Sequence, residues 1–104
     1  MPVIEVKSNS EFVAALSNQS LVVVDFYAVW CGPCKMLAPK LEEYSSEFPE
    51  VKFLKVDVDN LSEVAAEHGI TAMPTVKFFK GGKQVDEVVG MNINAIHSKI
   101  AQLK

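Results

Sequence analysis

Leu21-Val-Val-Val-Asp25-Phe-Tyr-Ala28-Val-Trp30-Cys31-Gly-Pro-Cys34-Lys35 joins a nearly unbroken apolar run to two cysteines separated by two residues. Apolarity this continuous suits a strand covered on both faces, which arises when crossover helices pack on each side of a sheet. Beyond the cysteines, Leu37, Leu41, Tyr44 and Phe48 recur at intervals of four, three and four, the stripe of a helix lying on that sheet. Pro39 falls inside the stripe and is expected to bend the helix without ending it, because the periodicity continues past it. Cys31 therefore stands at a helix entrance, where unpaired amide hydrogens and the positive end of the backbone dipoles favour thiolate over thiol. That makes Cys31 the expected nucleophile. Cys34, inside the first turn, is more sheltered and better placed to resolve a mixed disulfide than to attack an external one. Pro33 suits the first turn because its missing hydrogen would be unpaired there, and Gly32 keeps the approach uncluttered. A metal half-site or a pair of inert core cysteines uses the same spacing, but a closed zinc site would need His68 and His97 to converge from distant segments. The strand-to-helix context favours a redox pair.

Outward from this stretch, elements alternate. Val3 to Val6 reads as a short strand, and Ser8-Asn-Ser-Glu11 has the spacing of a capping box before a helix with Phe12, Ala15 and Leu16 on one face. Ser17 to Ser20 is a polar break. Val51 to Val56 reads as the next strand, and Asn60 to Glu63 resembles a second capping box opening a short helix with Leu61, Val64 and Ala65, ended at Gly69. Thr75 to Lys80 and Gln84 to Val89 flank Gly81-Gly82, the pattern of a tight turn between antiparallel strands. The sheet is therefore expected to be mixed. Ile93, Ile96, Ile100 and Leu103 mark a final helix, with Lys99 and Lys104 near its carbonyl end.

The chain has 104 residues, 49% of them hydrophobic, which is enough for one core and too little for two, so a single domain over residues 1–104 is expected. All ten basic residues are lysine and the net charge is −3. Without arginine, and with aromatics that alternate as core or sheet-face residues, nucleic acid is not an expected partner. The most apolar segment, Leu21 to Cys34, is interrupted by Asp25 and is shorter than the ~20 residues that span a bilayer. Membrane insertion is not expected. The opening Met-Pro-Val-Ile-Glu-Val-Lys lacks the basic and apolar regions of a secretion signal, so the cytosol is the expected compartment. His68 and His97 read as ordinary helix residues, and Gly81-Gly82 lacks the pattern of a phosphate loop.

Across nearly its whole length the chain resembles the thioredoxin family, through Val24-Asp-Phe-Tyr-Ala-Val-Trp-Cys-Gly-Pro-Cys-Lys35, Lys55-Val-Asp-Val-Asp59, Met73-Pro-Thr-Val-Lys-Phe-Phe-Lys-Gly-Gly82 and Val89-Gly90. The resemblance implies an α/β thioredoxin fold with a mixed five-stranded sheet flanked by four helices, a reversible Cys31–Cys34 disulfide, and general protein dithiol–disulfide exchange. It implies no bound cofactor: reduction would come from thioredoxin reductase, with NADPH held on that partner. Ribonucleotide reductase, peroxiredoxins and methionine sulfoxide reductase are the substrates it suggests. It also implies a cis bond before Pro74, where the residues alone favour trans. Ala72 stands where some family members carry a further cysteine, so a dimer bridged there is excluded and a monomer is expected.

Asp25 is expensive to bury unpaired, and it reads either as a hydrogen-bonded strand residue or as a carboxyl of raised pKa that exchanges a proton with Cys34. The resemblance points to the second. Lys55 corresponds to the family lysine beside that carboxylate; the residues alone leave a strand lysine snorkelling to solvent as an open alternative. Trp30 is expected to cover the active-site base and add binding surface, with Met73, Pro74, Gly90 and Met91 completing a groove that admits varied substrates. Two rival functions stand beside this one. A protein-binding or regulatory module would use the same surface in one redox state only. A glutathione-linked oxidoreductase fits poorly, because glutaredoxins carry Cys-Pro-Tyr-Cys and no basic clamp is evident here.

Overall fold

A computed structural model describes residues 2–104. In chain order the elements are β1 (Ile4–Glu5), α1 (Asn9–Leu16), β2 (Val22–Tyr27), α2 (Gly32–Glu47), β3 (Lys52–Asp57), α3 (Ser62–Glu67), β4 (Thr75–Lys80), β5 (Lys83–Val89) and α4 (Ile93–Leu103). The five strands form one sheet in the order β1-β3-β2-β4-β5. β3 runs parallel to both β1 and β2, while β4 is antiparallel to β2 and to β5, so the sheet is mixed as its turn pattern demands.

β2 lies at the centre, and its side chains divide between two cores. Val23 packs with Leu37, Leu41 and Tyr44 of α2, Ile96 and Ile100 of α4, and Phe53, Val76 and Phe78 of the neighbouring strands. Val22, Val24 and Phe26 pack on the other side with Phe12 and Leu16 of α1, Val64 of α3, and Leu54, Val56 and Phe79. Alternation places Asp25 on the side of Val23, under α2. That single parity decides which helix the carboxylate meets.

Local signals act largely as the residues suggest. Ser8 caps α1, its Oγ accepting the Glu11 amide at 3.1 Å. Glu11 reaches back to the Lys7 amide (2.8 Å), one residue further than the capping-box pattern places it. Pro39 sits inside an α2 that runs uninterrupted from Gly32 to Glu47. Gly81 and Gly82, at φ +60° and +81°, make the tight turn between β4 and β5. The expected capping box at Asn60 does not form: α3 starts at Ser62 behind Leu61, with no side-chain cap. Asp57 is the reason. Its Oδ1 takes the amides of Asp59 (2.9 Å) and Asn60 (3.4 Å), which closes the turn before the helix can begin. Lys99 and Lys104 do not cap carbonyls either; they pair with Asp86 (2.7 Å) and Glu50 (3.5 Å).

Candidate active site

The turn from β2 into α2 places the cysteines. The Cys31 amide donates to the Ala28 carbonyl at 3.1 Å, so the chain reverses tightly and α2 begins at once. Cys31 is the N-cap of α2, and its Sγ accepts the Cys34 amide at 3.2 Å. A sulfur in that position receives one of the orphan N–H groups of the first turn and faces the positive end of a 16-residue helix. Cys31 and Cys34 are joined as a disulfide with Cα atoms 5.3 Å apart. Exposure departs from expectation: Cys31 is 5% exposed and Cys34 3%, so the expected nucleophile is sheltered almost as well as its partner. Ala28 packs directly against the pair, with Tyr27, Val58 and Met73 around them. What separates the two sulfurs is their place on the helix, one at its mouth and one on its buried stripe above Leu37.

Asp25 is 3% exposed, and its Oδ1 has no hydrogen-bond partner. Burial pushes its pKa from 3.8 up to about 7, and the positive charge of Lys55 opposes the rise without cancelling it. Lys55 is the in-register neighbour of Asp25 on β3, yet its Nζ lies by Glu5 Oε1, at 3.9 Å. The expected lysine therefore acts on Asp25 through space. Glu5 also accepts a 2.7 Å hydrogen bond from the Tyr27 hydroxyl, whose own pKa is raised by burial and by that carboxylate. Asp25 shares the sheet face that α2 covers, and Cys34 lies on the α2 stripe turned toward that face, with no direct hydrogen bond between them.

Trp30 lies at the surface. It is 66% exposed, and its indole N–H donates to Asp59 Oδ2 at 3.0 Å, which fixes the ring on the surface beside the cysteines. The Met73–Pro74 bond is cis, as the family resemblance implies. Met73 presents its carbonyl oxygen 3.6 Å from Cys31 Sγ. Two hydrogen bonds hold this loop: the Gly90 amide donates to the Pro74 carbonyl (2.8 Å), and the Thr75 hydroxyl donates to the Ala72 carbonyl (2.6 Å). Gly90, at φ +92°, turns the chain out of β5 beside Pro74, and Met91 follows at the rim of an open depression that runs to Asn94. The Met73–Pro74 loop and Gly90 are thus brought together. Gly32 is exposed with open space around its Cα, and Pro33 occupies the first turn.

Four contributing residues escaped the sequence reading. Asp59 orients Trp30, Asp57 shapes the turn that carries Asp59, and Glu5, held by the Tyr27 hydroxyl, pairs with Lys55. Lys55-Val-Asp-Val-Asp59 held the signal for the first two, since acids at alternate positions share one side of a strand end. Nothing local pointed to Glu5. The histidines lie elsewhere: His68 packs among Phe12, Phe26 and Phe79, with burial lowering its pKa, and His97 bonds Glu47 at 3.0 Å. Among the described residues no cluster of His, Cys, Asp or Glu has the arrangement of a metal site, and no helix is long and apolar enough to cross a membrane.

Comparison with known proteins agrees with this geometry. Residues 3–102 match the family model described as Thioredoxin. Thioredoxin-1 of Saccharomyces cerevisiae is 52% identical over 99 residues, covering 95% of this chain and 96% of its own. Thioredoxin-1 of Schizosaccharomyces pombe is 47% identical over 96 residues, covering 92% and 93%. Among solved structures, a thioredoxin of Nicotiana alata superposes with a TM-score of 0.95 at 40% identity, covering 99% of this chain and 93% of that one. The Plasmodium falciparum thioredoxin does so at 0.94 and 45%, covering 98% and 100%. Sequence likeness along almost the entire length, the same fold, and a Cys-Gly-Pro-Cys pair at the mouth of a helix have one common meaning: this chain belongs to the thioredoxin family of protein dithiol–disulfide oxidoreductases.

Proposed function

We propose that the chain is a general reductase of protein disulfides in which Cys31 attacks, Cys34 resolves and Asp25 accepts the resolving proton. The observation that carries this reading is the Cys31 sulfur at the α2 N-cap, receiving the Cys34 amide while Cys34 turns toward the buried face that holds Asp25. In the reduced protein the Cys31 thiolate attacks one sulfur of a substrate disulfide; that S–S bond breaks, and the second substrate sulfur leaves as a thiolate that takes a proton from water. Asp25 then takes the Cys34 proton, through a water, and the Cys34 thiolate attacks Cys31 Sγ. The mixed disulfide breaks, the first substrate sulfur departs as a thiolate and is protonated, and two electrons have passed from the cysteine pair to the substrate. Lys55 tempers the charge on Asp25.

Trp30, Met73, Pro74, Gly90 and Met91 form the docking surface, and Gly32 and Pro33 support the pair. Glycine at 90 and proline at 74 keep the surface low, so a substrate chain can come close, and methionine adapts to varied apolar side chains. Electrons return through thioredoxin reductase, which holds the NADPH. Peroxiredoxins, ribonucleotide reductase and methionine sulfoxide reductase are the proposed targets; a structural relative at 36% identity comes from work on thiol resolution of a yeast mitochondrial 1-Cys peroxiredoxin by glutathione and thioredoxin systems. The chain acts as a single domain and a monomer in the cytoplasm, where thiols are kept reduced.

Coupled insulin reduction with NADPH and thioredoxin reductase tests the reading. Turnover is expected from the parent, none from Cys31→Ser, and a trapped mixed disulfide from Cys34→Ser. A covalent complex with Cys31→Ser but none with Cys34→Ser would reverse the roles. Partner capture that persists with both cysteines replaced, and without turnover in the parent, would favour a binding module.

A further inference from the structure

Glu5, Lys55 and Asp25 stand side by side across three strands. Glu5 pairs in register with Lys55 between β1 and β3, and Lys55 pairs with Asp25 between β3 and β2. Residues in such a row project on one face of the sheet, with strands about 4.8 Å apart. The row reads carboxylate, ammonium, carboxylate, and continues on β4 with Val76. Its central ammonium has taken one side: Lys55 Nζ lies 3.9 Å from Glu5 Oε1, while Asp25 Oδ1 has no hydrogen-bond partner. Glu5 is itself held by the 2.7 Å bond from the Tyr27 hydroxyl to its other oxygen. Solvation favours this division, because the Lys55 and Glu5 side chains are 36% and 34% exposed and Asp25 is sealed beneath α2. An ion pair at the wet end of the row loses less hydration than one at the dry end.

We propose that Glu5 is a positioning residue for thiol–disulfide exchange: it holds the Lys55 ammonium at the outer end of the row, so that the Asp25 carboxylate keeps no direct cationic partner and remains able to take a proton. The inference rests on the reading of Asp25 as proton acceptor. Other charged or titratable groups near Asp25 do not substitute for Glu5. Asp57 of β3 spends Oδ1 on the amides of Asp59 and Asn60, Tyr27 of β2 donates to Glu5, the buried stripe of α2 brings Cys34, held in the disulfide, and Tyr44, whose pKa burial raises, and β4 brings apolar Val76. Without Glu5 the ammonium would swing inward toward the remaining carboxylate of its row and stabilise it as an anion.

Carbon-13 NMR titration of the aspartate carboxyls in the oxidised full chain reads this without turnover. Glu5→Gln is expected to lower the Asp25 midpoint by about one pH unit, and the pH profile of mixed-disulfide resolution should move down with it. Lys55→Met is expected to raise the midpoint. In the Lys55→Met background, Glu5→Gln should move it by less than about a third of a unit, since the cation through which Glu5 acts is gone. Urea unfolding of the same samples separates these shifts from loss of fold, and an unfolded Glu5→Gln protein would be replaced by Glu5→Ala with the same expectation. A parent midpoint near 7 that Glu5→Gln leaves unmoved overturns the role of Glu5 and spares Asp25; so does an equal shift with and without Lys55. A parent midpoint near 4 overturns both.

Discussion

Asp25 is where burial and chemistry oppose each other. Desolvation lifts its pKa from 3.8 to about 7, so the folded protein binds this proton more tightly than the unfolded chain does. The sign follows: the unfolded chain loses the proton first, so the group's contribution to stability is full below pH 3.8, falls as pH rises from there, and is lost once pH passes about 7. Asp25→Asn removes the titration. Relative to that variant, the parent is expected to lose roughly 3 kcal/mol between pH 5 and pH 8, two pH units of titration at 1.36 kcal/mol each. Urea unfolding of both oxidised proteins at the two pH values measures it; parallel pH dependence would mean that Asp25 is not held neutral. The same variant should slow release of substrate from Cys31 most strongly above pH 7, where the parent carboxylate is ionised. That a carboxylate interrupts the apolar strand was legible from Leu21 to Ala28. That its lysine neighbour would turn to Glu5 was not, because the choice depends on three strands and on where water reaches them.

At the scale of the element, caps and turns carry local costs that can be measured one at a time. Ser8 accepts an amide at the start of α1, so Ser8→Ala should cost about 1 kcal/mol. Gly82 at φ +81° has nothing nearer than the Leu16 carbonyl oxygen at 3.9 Å to meet an added Cβ. The cost of Gly82→Ala is then conformational, about 1–2 kcal/mol. Gly32→Ala, with open space and no positive φ, is expected to leave stability within about 0.5 kcal/mol, and chemical denaturation of the three variants checks the order. These elements were readable because each signal lies within four residues of its partner. The start of α3 was misread for the opposite reason. Asn60 and Glu63 have the right spacing, but Asp57 in the preceding strand had already taken the loop amides.

For the whole molecule, the sheet is a partition. Ile96 packs with α2 on one side, and Phe12 of α1 packs on the other. Ile96→Val and Phe12→Leu share no core, so each should cost about 1 kcal/mol and the double variant should show their sum within about 0.5 kcal/mol. A larger coupling, read by urea unfolding, would mean that strain crosses the sheet. α2 belongs to one of these cores and also opens at Cys31, so packing at Leu37 and Leu41 fixes how the helix that carries the cysteines seats on the sheet.

Periodicity, turn residues and the Cys-Gly-Pro-Cys segment determined the alternating elements, the mixed sheet and the cysteine pair at the mouth of α2, because those properties arise from neighbours along the chain. Only tertiary structure decided that Cys31 is nearly as sheltered as Cys34, that Trp30 lies open on Asp59, and that Glu5 claims the lysine beside Asp25. Each depends on residues from separate elements meeting at defined depths from solvent, and the balance of charge and hydration at those depths is set by the folded surface as a whole.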